Sequence, residues 1–296
     1  MKFKQNANII CICIFVFLTL LSFLYPKVLV GSSYKYLIMC FVTMAVFLIP
    51  GIIMAKTEKQ KISVYLNLRR FKMRWLPATF FCAVAVSLLG IFLNVLFALI
   101  FRGAGMPLIS SPFVNLNDAS APEIVLCVAV FPAVFEELFF RGAYLKKYSG
   151  TYLFRAVFTG SAAFAFMHAS PYSFIAPFVC GIAYGFLVYL FDSIYPAILA
   201  HLINNVFCLV LWRYSEDIKS AGLVGLCAAV GIILMFVFTY FALHFLEPHI
   251  NKIKPAPKLK LKARMEQRAK YQSPFDRAFL ALFILWALIM TLKLLI

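Results

Sequence analysis

Residues 124–140 read IVLCVAVFPAVFEELFF. Every position in this run is apolar or proline except two adjacent glutamates, Glu136 and Glu137. A run this long and this apolar reads as a membrane-spanning helix. A carboxylate at that depth costs about 2.5–3.5 kcal/mol even on the lenient insertion scale. Two of them side by side mark the centre from which the rest of the chain is read.

The 296 residues are 64% hydrophobic and 13% charged, with a mean hydropathy of +0.93. A soluble domain is nearer half apolar and a quarter charged, so the expected class is an all-α, polytopic transmembrane bundle. The net charge of +17 comes from basic residues lying between apolar runs. They read as topology signals and lipid-headgroup contacts rather than a nucleic-acid surface. The eight cysteines all lie within apolar runs and show no C-x-x-C spacing. They are expected to be small buried hydrophobes.

Nine spans are predicted, at about residues 8–25, 36–55, 76–101, 122–144, 152–169, 173–191, 194–212, 221–246 and 278–296, with eight as the other count. The first run is longer than a signal h-region and no A-x-A site follows, so it is read as a span rather than a cleaved leader. Two connections are strongly basic. Residues 56–75 hold seven Lys/Arg against one acid, and residues 248–277 hold nine against two. With the N-terminus in the cytoplasm, the alternation puts 22 Lys/Arg on the cytoplasmic side and 5 on the other. The chain divides into three N-terminal spans (1–121), a core of four spans (122–212) and C-terminal spans with a basic cytoplasmic loop (213–296). Residues 259–271 look helical and suited to the membrane surface.

Three polar patterns sit on successive core spans. In Glu136-Glu137-x-x-x-Arg141, Glu137 and Arg141 are four apart and can pair, while Glu136 points about 100° away and is presented elsewhere. Pro132 is expected to bend the helix just before them. The second pattern is Phe164-x-x-x-His168. The third is His201-x-x-x-Asn205, both on one helix face, with Asn204 rotated towards packing. Each has a plainer reading: a packing ion pair, a core histidine bonded to a backbone carbonyl, or hydrogen-bond glue between helices. Antiparallel hairpins allow all three to meet about 8–15 Å inside the cytoplasmic face. Such a set suits amide hydrolysis by water: a carboxylate as general base, histidine to orient water or ligate a metal, and histidine with asparagine to donate to an oxyanion. No H-E-x-x-H or G-x-S-x-G motif appears.

Taken in order, E-E-x-x-x-R, F-x-x-x-H and H-x-x-x-N on core spans resemble the CPBP (Abi) family of membrane proteins, which includes the type II CAAX-prenyl endopeptidases and bacteriocin-processing or immunity proteins. The resemblance covers about residues 122–210. It implies an intramembrane endopeptidase in which Glu136 activates water with help from His168, His201 and Asn205 stabilise the oxyanion, and Glu137, Arg141 and Phe164 support the site. It leaves open a zinc ion held by Glu136, His168 and His201 or a metal-free glutamate mechanism. It implies partners that are membrane lipids and a lipid-anchored or membrane-bound peptide, prenylated CAAX or bacteriocin-like. The expected location is a bacterial plasma membrane, with the site towards the cytoplasm. Two other readings stand beside it. One is a non-catalytic immunity or scaffold protein of the same fold. The other is a proton-coupled transporter, which would be expected to show repeated halves; no repeat is evident.

Lesser features have local readings. Gly181-x-x-x-Gly185 permits close helix approach, Asp192 caps a helix, and His244 and His249 sit at an interface.

Overall fold

The computed structural model describes residues 7–29, 34–105, 120–148, 153–168, 174–214, 221–251 and residue 284. Among the described residues all regular structure is helical. Helix α1 spans Ala7–Leu29, α2 Lys35–Thr57, the short α3 Ile62–Tyr65 and α4 Leu76–Gly103. Further on come α8 (Leu153–Phe166), α9 (Ile175–Phe191), α10 (Tyr195–Tyr214) and α11 (Ala221–Ile250). These track the apolar runs of the sequence within a few residues. The run expected at 278–296 and the surface stretch expected at 259–271 lie outside the described residues. Three helices, Lys35–Thr57, Met73–Gly103 and Leu226–Ile250, are long and apolar enough to cross a membrane by length and composition.

The run that carries the glutamates is not a plain α-helix. It is continuous from α5 (Ala121–Ile124) through a π-helical stretch Val125–Val130, α6 (Phe131–Glu137) and a second π stretch Leu138–Tyr144 to α7 (Leu145–Tyr148). Pro132 explains part of this. It has no N–H to give to the preceding turn, and just before it the ladder is already shifted, with the Phe131 N–H donating to the Leu126 carbonyl five residues back. At the proline where the sequence predicts a bend, the chain widens its turns. π turns are rare, and they recur at functional sites.

Around this wide helix, α2 packs on α6 and on the second π stretch, α10 packs on α6, and α9 packs on α8, α10 and α4. Phenylalanines fill the joint. Phe47 of α2 lies 6.0 Å from Phe139 and 5.8 Å from Phe140, and Phe140 meets Phe164 of α8 edge-on at 5.4 Å. Helix α11 rests on α4 through Phe81, whose ring stacks on Phe241 and Phe245 at 5.0 and 5.5 Å. Many of its other apolar side chains, such as Phe236 and Tyr240, face outward. A soluble protein would bury them, whereas a bilayer solvates them.

One end of the bundle is tied together by the basic connection 56–75. The Ile194 N–H donates to the Asn67 carbonyl at 3.1 Å, Ser193 Oγ donates to the Arg69 carbonyl at 2.9 Å, and Arg69 pairs with Asp192. Asp192 ends α9 in the left-handed conformation (φ 48°), which a short polar side chain tolerates better than most. This is the cap expected of it. At the same end Trp75 stacks on Phe191 at 5.0 Å and Phe191 meets His249 at 4.9 Å.

One expectation for the cysteines is corrected. Cys40 of α2 and Cys127 of the first π stretch form a disulfide across a Cα–Cα distance of 5.3 Å. They lie away from the basic connection, about a turn and a half from the opposite ends of their helices. Spacing could not show it, since 87 residues separate them. Cys11, Cys13, Cys82, Cys180, Cys208 and Cys227 are free thiols.

Candidate active site

The cluster is built on Glu137. This side chain is wholly buried, and a charge held there needs a partner in place of water. It has two. Arg141, four residues on, donates Nη1–H to Glu137 Oε1 at 2.8 Å. His201, from α10, places Nδ1 2.9 Å from the same oxygen. The sequence anticipates the first contact by its i,i+4 spacing. The second needs the fold, because the two are 64 positions apart in sequence. Histidine thus meets the bracing glutamate directly, in addition to any part it takes in handling an oxyanion.

Glu136 occupies the other position expected of it. Its side chain keeps 18% of its surface accessible, and its Oε2 lies 3.9 Å from His201 Nε2. The two imidazole nitrogens therefore divide between the two carboxylates, Nδ1 to Glu137 in a hydrogen bond and Nε2 towards Glu136 across a wider gap. That division orients the ring, since the partner of one nitrogen fixes the direction of the other.

Aromatic side chains enclose this set. The Phe164 ring lies edge-on to His201 at 5.4 Å and to His168 at 5.0 Å, and the Arg141 guanidinium sits 4.6 Å above its centroid. On the other side Tyr184 of α9 stacks on His201 at 5.4 Å with 22° between the planes, and Arg141 lies 5.4 Å from the same ring. Room for the guanidinium comes from Gly181. A Cβ there would stand 2.8 Å from Arg141 Nη2 and 3.0 Å from Ser161 Cβ. The Gly181-x-x-x-Gly185 pair does allow close packing of α9, with Gly185 against Val157 of α8, but Gly181 also makes space for the site arginine. Neither Gly181 nor Tyr184 stands in any of the three sequence patterns. What pointed to α9 was the glycine pair, read only as packing.

His168 and Asn205 sit further out. His168 follows the last turn of α8, its Nδ1 3.2 Å from the Phe164 carbonyl and its ring exposed. Among the described residues it makes no hydrogen bond or ion pair to Glu136 or His201; both imidazoles lie edge-on to the Phe164 ring. Asn205 donates Nδ2–H to the Ala129 carbonyl of the first π stretch at 3.3 Å. An amide nitrogen carries two hydrogens, so this leaves one donor. Asn204 is turned away, its Oδ1 accepting from Cys180 Sγ at 3.8 Å.

Zinc is the one cofactor the residues could have been expected to hold. Among the described residues no three His, Cys, Asp or Glu side chains gather as a metal-ligand set. Glu136, His168 and His201 do not form one, and His201 Nδ1 is already taken by Glu137. No step below runs through a zinc ion.

These features define a helical membrane protein with a buried Glu–Arg–His cluster and a second, partly open carboxylate beside it. A family model described as type II CAAX prenyl endopeptidase Rce1-like matches residues 119–207, the stretch that holds every residue of the cluster. That stretch is similar to the family its motifs resemble. The similarity and the apolar helices both point to an integral membrane protein, and the similarity to a protease. No curated protein and no solved structure matches the chain.

Proposed function

We propose that this protein is an intramembrane endopeptidase that hydrolyses peptide bonds of membrane-held peptides with water activated by Glu136. The observation that carries the reading is the unequal fate of the two glutamates. Glu137 is buried and bound by Arg141 and His201, while Glu136 keeps an accessible edge 3.9 Å from the outward nitrogen of His201. A packing ion pair accounts for the first carboxylate and leaves the second without a purpose.

In this mechanism Glu136 takes a proton from water as the oxygen attacks the scissile carbonyl carbon. The carbonyl oxygen becomes an oxyanion, to which the Nε2–H of His201, held as an imidazolium with its Nδ1–H on the Glu137 carboxylate, and the remaining N–H of Asn205 donate. Glu137 holds His201 through Nδ1, and Arg141 balances the charge of Glu137. Collapse of the tetrahedral species breaks the C–N bond, and Glu136 returns the proton to the leaving amine. His168, on the exposed rim beyond Phe164, orients water or peptide on its way in. The site lies towards the cytoplasmic side of a plasma membrane, so the substrates are lipid-anchored or membrane-bound peptides reaching that half of the bilayer. A prenylated CAAX tail and a bacteriocin-like peptide are the two candidates.

The test uses purified protein in detergent with a panel of farnesylated and unmodified peptides. Wild type is expected to cleave at least one. The Glu136→Gln variant, which keeps shape and loses the base, is expected to insert and purify normally yet cleave none. Retained turnover by that variant rejects the role of Glu136. Proton flux without cleavage in proteoliposomes would instead favour transport.

A further inference from the structure

We infer that Tyr184, on the one core helix without a sequence motif, is the positioning residue that holds the His201 imidazole in register between the two glutamates. The inference rests on the function proposed above and extends it to a residue outside its three motifs.

A histidine that divides its nitrogens between two partners needs its ring plane held as well as its atoms. One hydrogen bond, Nδ1 to Glu137, fixes one atom and leaves the ring able to turn about that contact. Rotation of the plane would carry Nε2 away from Glu136. Two surfaces prevent it. Phe164 stands perpendicular to the imidazole at 82°, and Tyr184 lies nearly parallel to it at 22°, each with its centroid 5.4 Å away. A perpendicular ring alone leaves a broad face open; the parallel ring closes it. The same two rings flank Arg141, whose guanidinium is 4.6 Å from Phe164 and 5.4 Å from Tyr184. Both partners of Glu137 are thus seated on one aromatic pair, half of which comes from α9.

The ring rather than the hydroxyl does this. Tyr184 is 1% exposed, and its hydroxyl makes no hydrogen bond among the described residues. Tyr184 is itself fixed by position. It lies one turn along α9 from Gly181, where the absent side chain admits Arg141, so arginine and tyrosine share a single notch in the helix surface.

The test compares Tyr184→Phe and Tyr184→Leu, with Tyr184→Met in place of leucine should that variant fail to purify as a monodisperse protein. Rates are measured per folded molecule on the peptide that wild type cleaves. The leucine variant is expected to lose about tenfold or more in kcat with KM changed by less than about threefold, since a displaced group costs rate more than binding. The phenylalanine variant is expected to restore wild-type kinetics. An independent readout uses 15N-histidine labelling, with His201→Gln to assign the signal. Wild type and Tyr184→Phe are expected to show one sharp pair of His201 ring 15N signals, and Tyr184→Leu broadened or doubled signals. A leucine variant with kcat within about twofold of wild type, a phenylalanine variant as impaired as leucine, or unchanged His201 ring signals in the leucine variant would each overturn the inference. If wild type cleaves no peptide, the proposed function fails, and the ring-signal measurement alone then decides the role of Tyr184.

Discussion

Replacing Gly181 by alanine tests the packing of the site without touching a charged or aromatic group. In an ordinary helix the change favours folding by about 0.5–1 kcal/mol, because glycine gives up more backbone freedom. Here the new methyl would lie 2.8 Å from Arg141 Nη2 and 3.0 Å from Ser161 Cβ. To reach 3.4 Å, where contact becomes ordinary, the guanidinium must retreat by about 0.6 Å. It cannot retreat cheaply, since its other nitrogen is bonded to Glu137 at 2.8 Å and its face rests on Phe164. Overpacking of this kind costs about 1–3 kcal/mol, and opening the buried pair adds to it, so a net loss of about 1–3 kcal/mol remains after the backbone gain. Gly185→Ala is the matched comparison. Its Cβ would stand 2.8 Å from Val157 Cγ1, forcing α8 and α9 apart without meeting the arginine. Gly51→Ala is the clash-free control, with 3.6 Å to its nearest neighbour. Thermal unfolding in detergent should show both α9 variants destabilised and the control unchanged to slightly stabilised. Peptide cleavage per folded molecule should fall further for Gly181→Ala than for Gly185→Ala. A Gly181→Ala protein as stable and as active as wild type would refute the claim that this glycine exists to seat Arg141.

Three further outcomes follow from the same geometry. Arg141→Met strands the buried Glu137 carboxylate and should cost about 3–5 kcal/mol, seen as a large drop in melting temperature, whereas Arg69→Met breaks only an exposed pair and should cost about 1 kcal/mol or less. Replacing Cys40 and Cys127 by serine removes a link between chain segments 87 residues apart and should cost about 2–4 kcal/mol; non-reducing and reducing gels of wild type cut between the two positions would reveal the bond. Chelators should leave cleavage unchanged, and loss of activity restored by added zinc would overturn the metal-free mechanism.

The apolar runs made the helices legible because a bilayer demands length and hydrophobicity from each crossing, and those properties are local. Glu137–Arg141 was legible for the same reason: a helix makes neighbours of residues four apart. The contact of His201 with Glu137 was only permitted by the sequence, since three spans and their tilts decide it. Tyr184 was not legible at all. An aromatic residue in a chain with 33 phenylalanines and 14 tyrosines carries no signal until the fold shows which ring it covers. The disulfide was hidden by sequence distance, and the π stretches by the fact that an apolar run looks alike whether its turns close at four residues or five.

Those wide turns have a consequence for how the protein tolerates change. Each residue of a helix advances its neighbours by about 100°, so the surplus residue held in Val125–Val130 lets the N-terminal half of this helix and the glutamates each keep their own facing. A single deletion there would be absorbed by tightening to an α turn, leaving Glu136, Glu137 and the disulfide-bearing half facing as they do. The same deletion inside Phe131–Glu137 lies in a plain α turn and would shift the register by one, turning Glu137 to where Glu136 now faces and Glu136 out of the site.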